Sequence, residues 1–468
     1  MKKIIGLIFV VIAALGGSYY GMGFVTERTI KNNLGALSQS NMMFVDLVDY
    51  KRGLMASQLK LNIRLHIPAR INKNTTGQTK LYPAQDYRFD VPMTVNHGPI
   101  IIANHTIRFG LGYAHTQIVL PKNILNQIAA TFTKDSTLPT LSLNLFVNYF
   151  NRCEFLISIP AFKINATQGN NNLNWLGLSS EIQASSSISN VEGHLALEGL
   201  SYTNNTVTTN IGQVVANYAL NKTKVGLYLG DANINAPSIT VINNKEKIAA
   251  IKHFIFQSNS NIAHDLFNTT LSSSIDSFYF NGKTYGPGKL KLILENLDPA
   301  TLARINEQAT LIQEASDESA KQQAILALLP ELPQLIKHGA IFKITNLSLT
   351  IPEGLIQGNL LIALPKIESN NIFQSMQKMH GNGHLEFPSA MLQRIFEESI
   401  KQKQLSADVT TPSTQIDVPQ QAKAEIDKLI ASGALIAKAN NLVIDMTLGK
   451  GSFNINNKPF SPAMFSVI

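Results

Sequence analysis

At 468 residues the chain is long enough for two or three domains and a large core. Hydrophobic residues make up 44% and charged residues only 15%, too apolar a mixture for a disordered chain. The net charge of +8 is spread over scattered Lys and Arg without a basic run, which argues against nucleic acid as a partner, and the single cysteine excludes an internal disulfide and a multi-cysteine zinc site.

Lys2 and Lys3 precede an uncharged run from Ile4 to Thr26, and charge resumes at Glu27 and Arg28. At ~1.5 Å per residue such a run is long enough for a ~30 Å hydrocarbon layer. The lysine pair favours a cytoplasmic N-terminus, and Tyr19 and Tyr20 fall where interfacial aromatics belong. The expectation is an uncleaved membrane anchor through residues 4–25, with a cleaved signal peptide as its rival. Both export the body. Gly17 and Gly21 form one small-xxx-small pair, which allows a homodimer.

The clearest strand is at 59–67. Leu59, Leu61, Ile63, Leu65 and Ile67 alternate with Lys60, Asn62, Arg64 and His66, so one face is buried and the other wet. His66, on the wet face, has no assigned role. Further on, Leu290, Leu292 and Leu294 repeat the pattern. Phe342 and Ile344 alternate in one phase and Leu347, Leu349 and Ile351 in the other, which predicts a bulge near Thr345 and Asn346. Pro352, Glu353 and Gly354 read as a turn before Leu360 and Ile362. Leu442 to Leu448, a glycine turn, and Phe453 with Ile455 read as a hairpin.

Helices are expected mainly in the last third. Asp298 is a good N-cap with Pro299 in the first helical position. Two helices are expected before His338, broken around Pro330 and Pro333, then one at Ile372, Met376 and Met379, one at Leu392 to Ile400, and one at Ile426 to Ile430 ended by Gly433. Ala407 to Pro419 reads as a surface loop. The expected fold class is α+β and β-rich, with an N-terminal transmembrane helix, antiparallel β-sheet regions and a helical segment in the last third. The expected division is 1–26 anchor or signal sequence, 27–297 β-rich extracytoplasmic region, 298–339 helical segment and 340–468 mixed α+β region. Glycines before Leu195, Leu360 and Leu385 hint at repeated β units without a fixed period.

No motif carries catalysis: there is no HExxH, Walker loop, GxSxG or dinucleotide fingerprint. Gly286 to Lys289 lacks the spacing of a phosphate loop and reads as a turn. Two histidine groups, His97 with His105 and His115, and His380 with His384, show no regular ligand spacing; structural or surface histidines are expected, with no metal and no cofactor. Cys153 has no neighbouring base and reads as a buried, inert thiol.

Two motifs carry a family resemblance: Tyr50-Lys51-Arg52-Gly53-Leu54-Met55-Ala56-Ser57 and Asn96-His97-Gly98-Pro99. With the N-terminal run, Leu294 to Asp298 and the terminal hairpin, the chain resembles the bacterial YdgA/YihF-like family, a domain of unknown function, over nearly its whole length. It departs in having Leu54 and Met55, where the family tends to have an aromatic after Arg-Gly. The resemblance implies a Gram-negative inner-membrane protein facing the periplasm, and supplies no catalytic residues. Gly53, Gly98 and Pro99 are expected to serve turns, and His97 to bond a turn carbonyl. The expected function is a membrane-anchored envelope protein acting as a non-enzymatic binding or assembly protein, with a lipid or an envelope protein as partner. The alternatives are a carrier or sensor of lipids or other apolar ligands, and an enzyme whose site is not visible in sequence.

Overall fold

The alternation at 59–67 forms part of a longer strand, Ala56–Ile67, in the computed structural model, which describes residues 16–461 apart from 29, 32–42, 68–69, 74–78, 104–105, 120–130, 151, 186, 315–317, 367–376, 407–416 and 450. By contacts the chain divides into two units. One comprises Met1–Tyr228, Val241–Glu246 and Asn306–Ala327, the other Leu229–Thr240, Lys247–Ile305 and Leu328–Ile468.

The first unit is built on an antiparallel meander. Its strands are β1 (Met43–Lys51), β2 (Ala56–Ile67), β3 (Gln85–His97), β4 (Gly112–Val119) and β5 (Thr140–Val147), then β6 (Arg152–Ile159), β7 (Asn171–Ser185), β8 (Asn190–Asn204) and β9 (Val214–Lys222). Each pairs with the next. Directly opposed residues share a face. One cross-strand row therefore runs Ser57, Val95, Ala114, Leu145, Phe155 and Ile182. This face is mostly apolar, with Ser57, His97, Thr116 and Ser180 as buried polar members. At β1 to β4 it closes into a core of Val45, Leu59, Leu61, Val91, Val95 and Ala114, against which Ile30 packs. Farther along, Leu143, Ile157, Ile182 and Leu195 are only half-buried. Leu65, expected inward, is 36% exposed, because β2 runs on past the packed region.

The expected transmembrane helix is not found. Among the described residues no helix is long and apolar enough to cross a membrane. Among the described residues, 16–28 form helix α1. Instead α1 lays one stripe on the sheet: Gly23 is buried and Tyr19 and Glu27 are partly buried, while Tyr20, Phe24 and Val25 face outward. Residues 4–15 of the expected span lie outside the described residues.

The second unit is also a meander: β10 (Glu246–Ala263), β11 (Leu266–Ile275), β12 (Gly288–Leu297), β13 (Ile341–Ile351), β14 (Gly354–Ala363), β15 (His380–Pro388), β16 (Asn441–Gly449) and β17 (Ser452–Ile455). The phase change in β13 is a register shift between Ile344 and Leu347. In the chain β12 is followed by helices α2 (Pro299–Glu314), α3 (Glu318–Leu328) and α4 (Leu332–Ile336), the last two separated by a 3-10 turn at Leu329–Glu331; residues Asn306–Ala327 of α2 and α3 belong to the first unit. Asp298 caps α2, accepting from the Thr301 amide at 2.8 Å and its hydroxyl at 2.7 Å. Helices α5 (Ser389–Ser406) and α6 (Val418–Ser432) close a core of Phe387, Phe396, Ile426, Leu429 and Leu442. Asp417 caps α6 and Pro419 lies in its first turn, so the end of the expected surface loop is helical, and its residues 407–416 lie outside the described residues. Of the helix expected at Ile372, Met376 and Met379, the first two lie outside the described residues and Met379 is not helical.

Candidate functional site

The two sequence motifs meet under α1. Lys51 ends β1 and Ala56 begins β2, so Arg52 to Met55 form the turn between them. Asn96 and His97 end β3, the neighbour of β2, and the His97 amide donates to the Met55 carbonyl at 2.9 Å. Ser57 and His97 both face the apolar side of the sheet, where Ser57 is 0% and His97 1% exposed. Their side chains join: Ser57 Oγ and His97 Nε2 are 3.0 Å apart. The imidazole thus bonds a serine on the next strand, rather than the turn carbonyl expected from sequence.

Helix α1 sits on this pair. A Cβ built at Gly23 would lie 2.7 Å from His97 Cε1, so only a glycine lets the helix rest against the ring. One turn earlier, Tyr19 covers Gly98 and donates to the Ile100 carbonyl at 2.5 Å. Gly98 has φ 122°, a left-handed conformation, and any side chain there would overlap the Tyr19 ring. Pro99 offers its carbonyl to Tyr149 Oη at 2.5 Å. Gly53 makes room in its turn, where a Cβ would overlap the Ala56 carbonyl oxygen.

Arg52 clamps the helix from the side. Its guanidinium lies 5.1 Å from the Tyr20 ring centroid, 5.7 Å from that of Phe24 and 3.6 Å from Glu27 Oε2. Positions 20, 24 and 27 lie on one helical stripe. Glu27 also takes Lys31 at 2.7 Å, and Lys31 lies over the Tyr50 ring. The hydrogen bond from Lys31 holds the Glu27 carboxyl below its ordinary range. Burial pushes the Tyr50 hydroxyl up; it lies beside Ser57 but has no hydrogen bond of regular geometry. Burial pushes His97 down, the Tyr19 backbone opposes this, and the Arg52 charge adds to it. His97 Nδ1 is buried without a partner of regular geometry.

A serine hydrogen-bonded to a histidine is the beginning of a nucleophile–base arrangement. Here both side chains are sealed beneath Gly23, so no substrate reaches them while α1 is docked. Chemically the pair is a buried polar latch between β2 and β3 that seats the helix.

The other sequence candidates stay apart from this latch. His115 bonds Asn144 at 2.7 Å on the opposite face, and His105 lies outside the described residues. His384 bonds Asp445 at 2.7 Å in the second unit, while His380 is exposed. Among the described residues no group of His, Cys, Asp and Glu could hold a metal ion. Cys153 is half-buried, and burial raises its thiol. Gly286 and Pro287 link a short strand to β12, and Gly288 and Lys289 already belong to β12, so the expected turn over all four residues is not formed. A cleft of about 610 Å³ at the other end of the first sheet is lined by Thr167, Gln168, Asn171 and Asn172, among others, and by no acidic, basic or sulfur-bearing side chain.

Sequence reasoning named Ser57, His97 and Arg52 without seeing that they act together. The missing signal was register: only the pairing of Ala56 with Asn96 brings the two motifs side by side. The contribution of α1 was hidden by reading its residues as lipid-facing. Residues 1–463 match the model of a family described as a bacterial protein of unknown function. No curated protein and no solved structure matches the chain.

Proposed function

Because the chain belongs to this bacterial family, DUF945, we propose that it is a non-enzymatic binding or assembly protein of the bacterial envelope, with its body outside the cytoplasm. The Tyr50 to Ser57 and Asn96 to Pro99 motifs support placing it in the YdgA/YihF-like branch. One observation carries the functional reading: Arg52, Ser57, His97 and Gly98 are spent on seating α1. A chain whose family motif fixes a helix against a sheet is organised to hold a fixed surface. Lys2 and Lys3 before an uncharged run support export.

A reporter fused after residue 468 that works only when exported tests the location; activity of a cytoplasmic reporter alone reverses it. Native purification followed by mass spectrometry tests the role. A stoichiometric partner that is lost in the His97→Gln variant supports it. Stoichiometric zinc that disappears in the same variant overturns it and puts an enzyme first.

A second reading, a carrier of lipids or other apolar ligands, has its own support. The apolar face of β5 to β9 is only half-buried at Leu143, Ile157, Ile182 and Leu195. Such a surface suits an acyl chain or another apolar guest.

A further inference from the structure

Antiparallel connection places five loops of the first unit at one end of its sheet: 52–55, 98–111, 148–151, 186–189 and 223–227. These loops share an unusual makeup. Each carries at least one exposed large apolar side chain, Ile188 and Val225 in the last two. Leu54 is 59% exposed, Ile102 63%, Ile107 66%, Phe109 65% and Phe150 87%. Ile102 and Ile107 face each other across a small hairpin, Ile101–Ala103 with Thr106–Arg108. Tyr149, beside Phe150, reaches back to the Pro99 carbonyl, which joins the 148–151 loop to the 98–111 loop.

The charges in and flanking these loops have one sign. Lys51, Arg52, Arg108, Arg152, Lys222 and Lys224 lie within the loops or one residue from them, and those stretches contain no Asp or Glu. Three of the six have acidic partners outside the loops: Lys51 with Asp49, Arg52 with Glu27 and Arg108 with Glu154. At the opposite end the described connections carry both signs of charge or none: Arg70, Lys73 and Lys80, the Lys134-Asp135 turn, and the uncharged turns at Thr167 to Asn170 and at Asn204 to Thr206. An exposed large hydrophobic in those connections is Leu138, at 42%, whereas Leu54, Ile102, Ile107, Phe109 and Phe150 at the loop end are 59% to 87% exposed.

Helix α1 enters at this same end. Ile30 packs in the core, Gly23 lies at the level of His97, and Tyr19 reaches Ile100, just before the hairpin. Residue 16 thus lies toward the loop tips, and in the sequence the uncharged stretch Ile4 to Leu15 leads directly into it.

We propose that this loop end rests on an anionic phospholipid bilayer, with Ile102, Ile107, Phe109 and Phe150 entering the interface and the surrounding cations facing lipid phosphates. Protruding apolar and aromatic tips among basic residues match a headgroup region that is apolar below and negative above. A large exposed apolar patch signals a contact surface. The single sign of charge around protruding apolar side chains favours an anionic lipid surface over a protein. The proposal goes beyond the assembly role and holds on either side of a membrane, so the export reporter and the test below fail independently.

The test places an indole at each end of the full-length chain. Phe150→Trp changes a residue 87% exposed, and Gln168→Trp changes an exposed turn residue at the far end. Trp175 supplies a constant background, subtracted with the unsubstituted chain. Each variant is mixed with vesicles of brominated phosphatidylglycerol and phosphatidylethanolamine, and separately with brominated phosphatidylcholine. The indole at position 150 is expected to lose about half its emission in the anionic vesicles and little in the choline vesicles, while that at position 168 stays bright in both. Arg152→Glu and Lys224→Glu should each weaken the quenching several-fold. An unquenched position 150 in a chain that sediments with the vesicles overturns the proposal, since other residues then carry the binding and the tips serve a protein. Failure to sediment, or equal quenching in both lipids, also overturns it.

Discussion

His97 is where helix and sheet meet, and its chemistry makes the joint sensitive to pH. Burial lowers its folded-state pKa below the ordinary 6.5, so the fold prefers the neutral ring. The stabilisation is complete above that ordinary value and is lost as pH falls through the lower folded value. The groups around the ring are Arg52 and the Tyr19 backbone, with Glu27 beyond Arg52 and Tyr50 beyond Ser57. None is an anion placed to accept an imidazolium. Amide hydrogen exchange across residues 19–28 should therefore quicken on acidification below about pH 6.5, and the change should vanish in His97→Gln. That variant should also lose about 1–3 kcal/mol in denaturant unfolding, the cost of leaving buried polar atoms unpaired. Exchange that ignores pH would mean that the ring does not hold the helix. Glycines on the two faces of α1 give a second check. Gly23→Ala puts a methyl 2.7 Å from the ring and should loosen the helix, at a cost of about 1–3 kcal/mol. Gly21→Ala meets nothing within 4 Å and should stabilise it by up to about 1 kcal/mol. Melting temperatures moving the same way in both would remove the seat from the account. At this scale the sequence displayed the right residues but not their meeting, because Ser57 and His97 are joined only through strand pairing.

Single elements were legible where their own periodicity decided them. The alternation in β2, the bulge in β13 between Ile344 and Leu347, the Asp298 cap and the terminal hairpin each follow from a local pattern that burial reinforces. Leu61 and Leu65 occupy the same phase of β2, yet they are 8% and 36% exposed. Periodicity fixes a residue's face but not whether the packed region extends that far. Leu61→Ala should accordingly cost about 2–4 kcal/mol and Leu65→Ala less than about 1, measured by denaturant unfolding. Equal losses would place Leu65 in the core. Helix α1 was misread because hydropathy weighs every position alike. Its stripes are specific: Tyr19, Gly23 and Ile30 turn toward the sheet, while Tyr20, Phe24 and Glu27 meet Arg52. Those contacts involve distant residues, and no local rule reveals them.

At the scale of the first unit, one sheet carries a single, mostly apolar face along its length, and its two halves differ in how they are covered. At β1 to β4 that face is closed into a core, with Ile30 packed against it. From β5 onward the cross-strand rows continue through Leu143, Ile157, Ser180 and Leu195, and through Leu145, Phe155 and Ile182 to Gly193 and Tyr218. The Tyr218 ring lies over Gly193, and Phe155 remains 37% exposed. Alternation shows that these residues share a face; it says nothing about what meets that face, so a filled core and an apolar trough look alike in sequence. Incomplete burial of so many aliphatic side chains leaves favourable hydrophobic free energy unrealised, at roughly 25 cal/mol per Å² of surface still exposed. An apolar guest would recover it. The full-length chain should therefore take up a naphthylamine dye with enhanced emission, and a long-chain fatty acid should displace it. Phe155→Lys, which sets an ammonium on that face at a position already part-exposed, should reduce uptake several-fold while leaving cooperative unfolding intact. His97→Gln, acting at the closed half, should leave uptake unchanged. Dye that binds the Phe155 variant as well as the parent would show that the trough is not the carrier surface, and the apolar-ligand reading would fall with it.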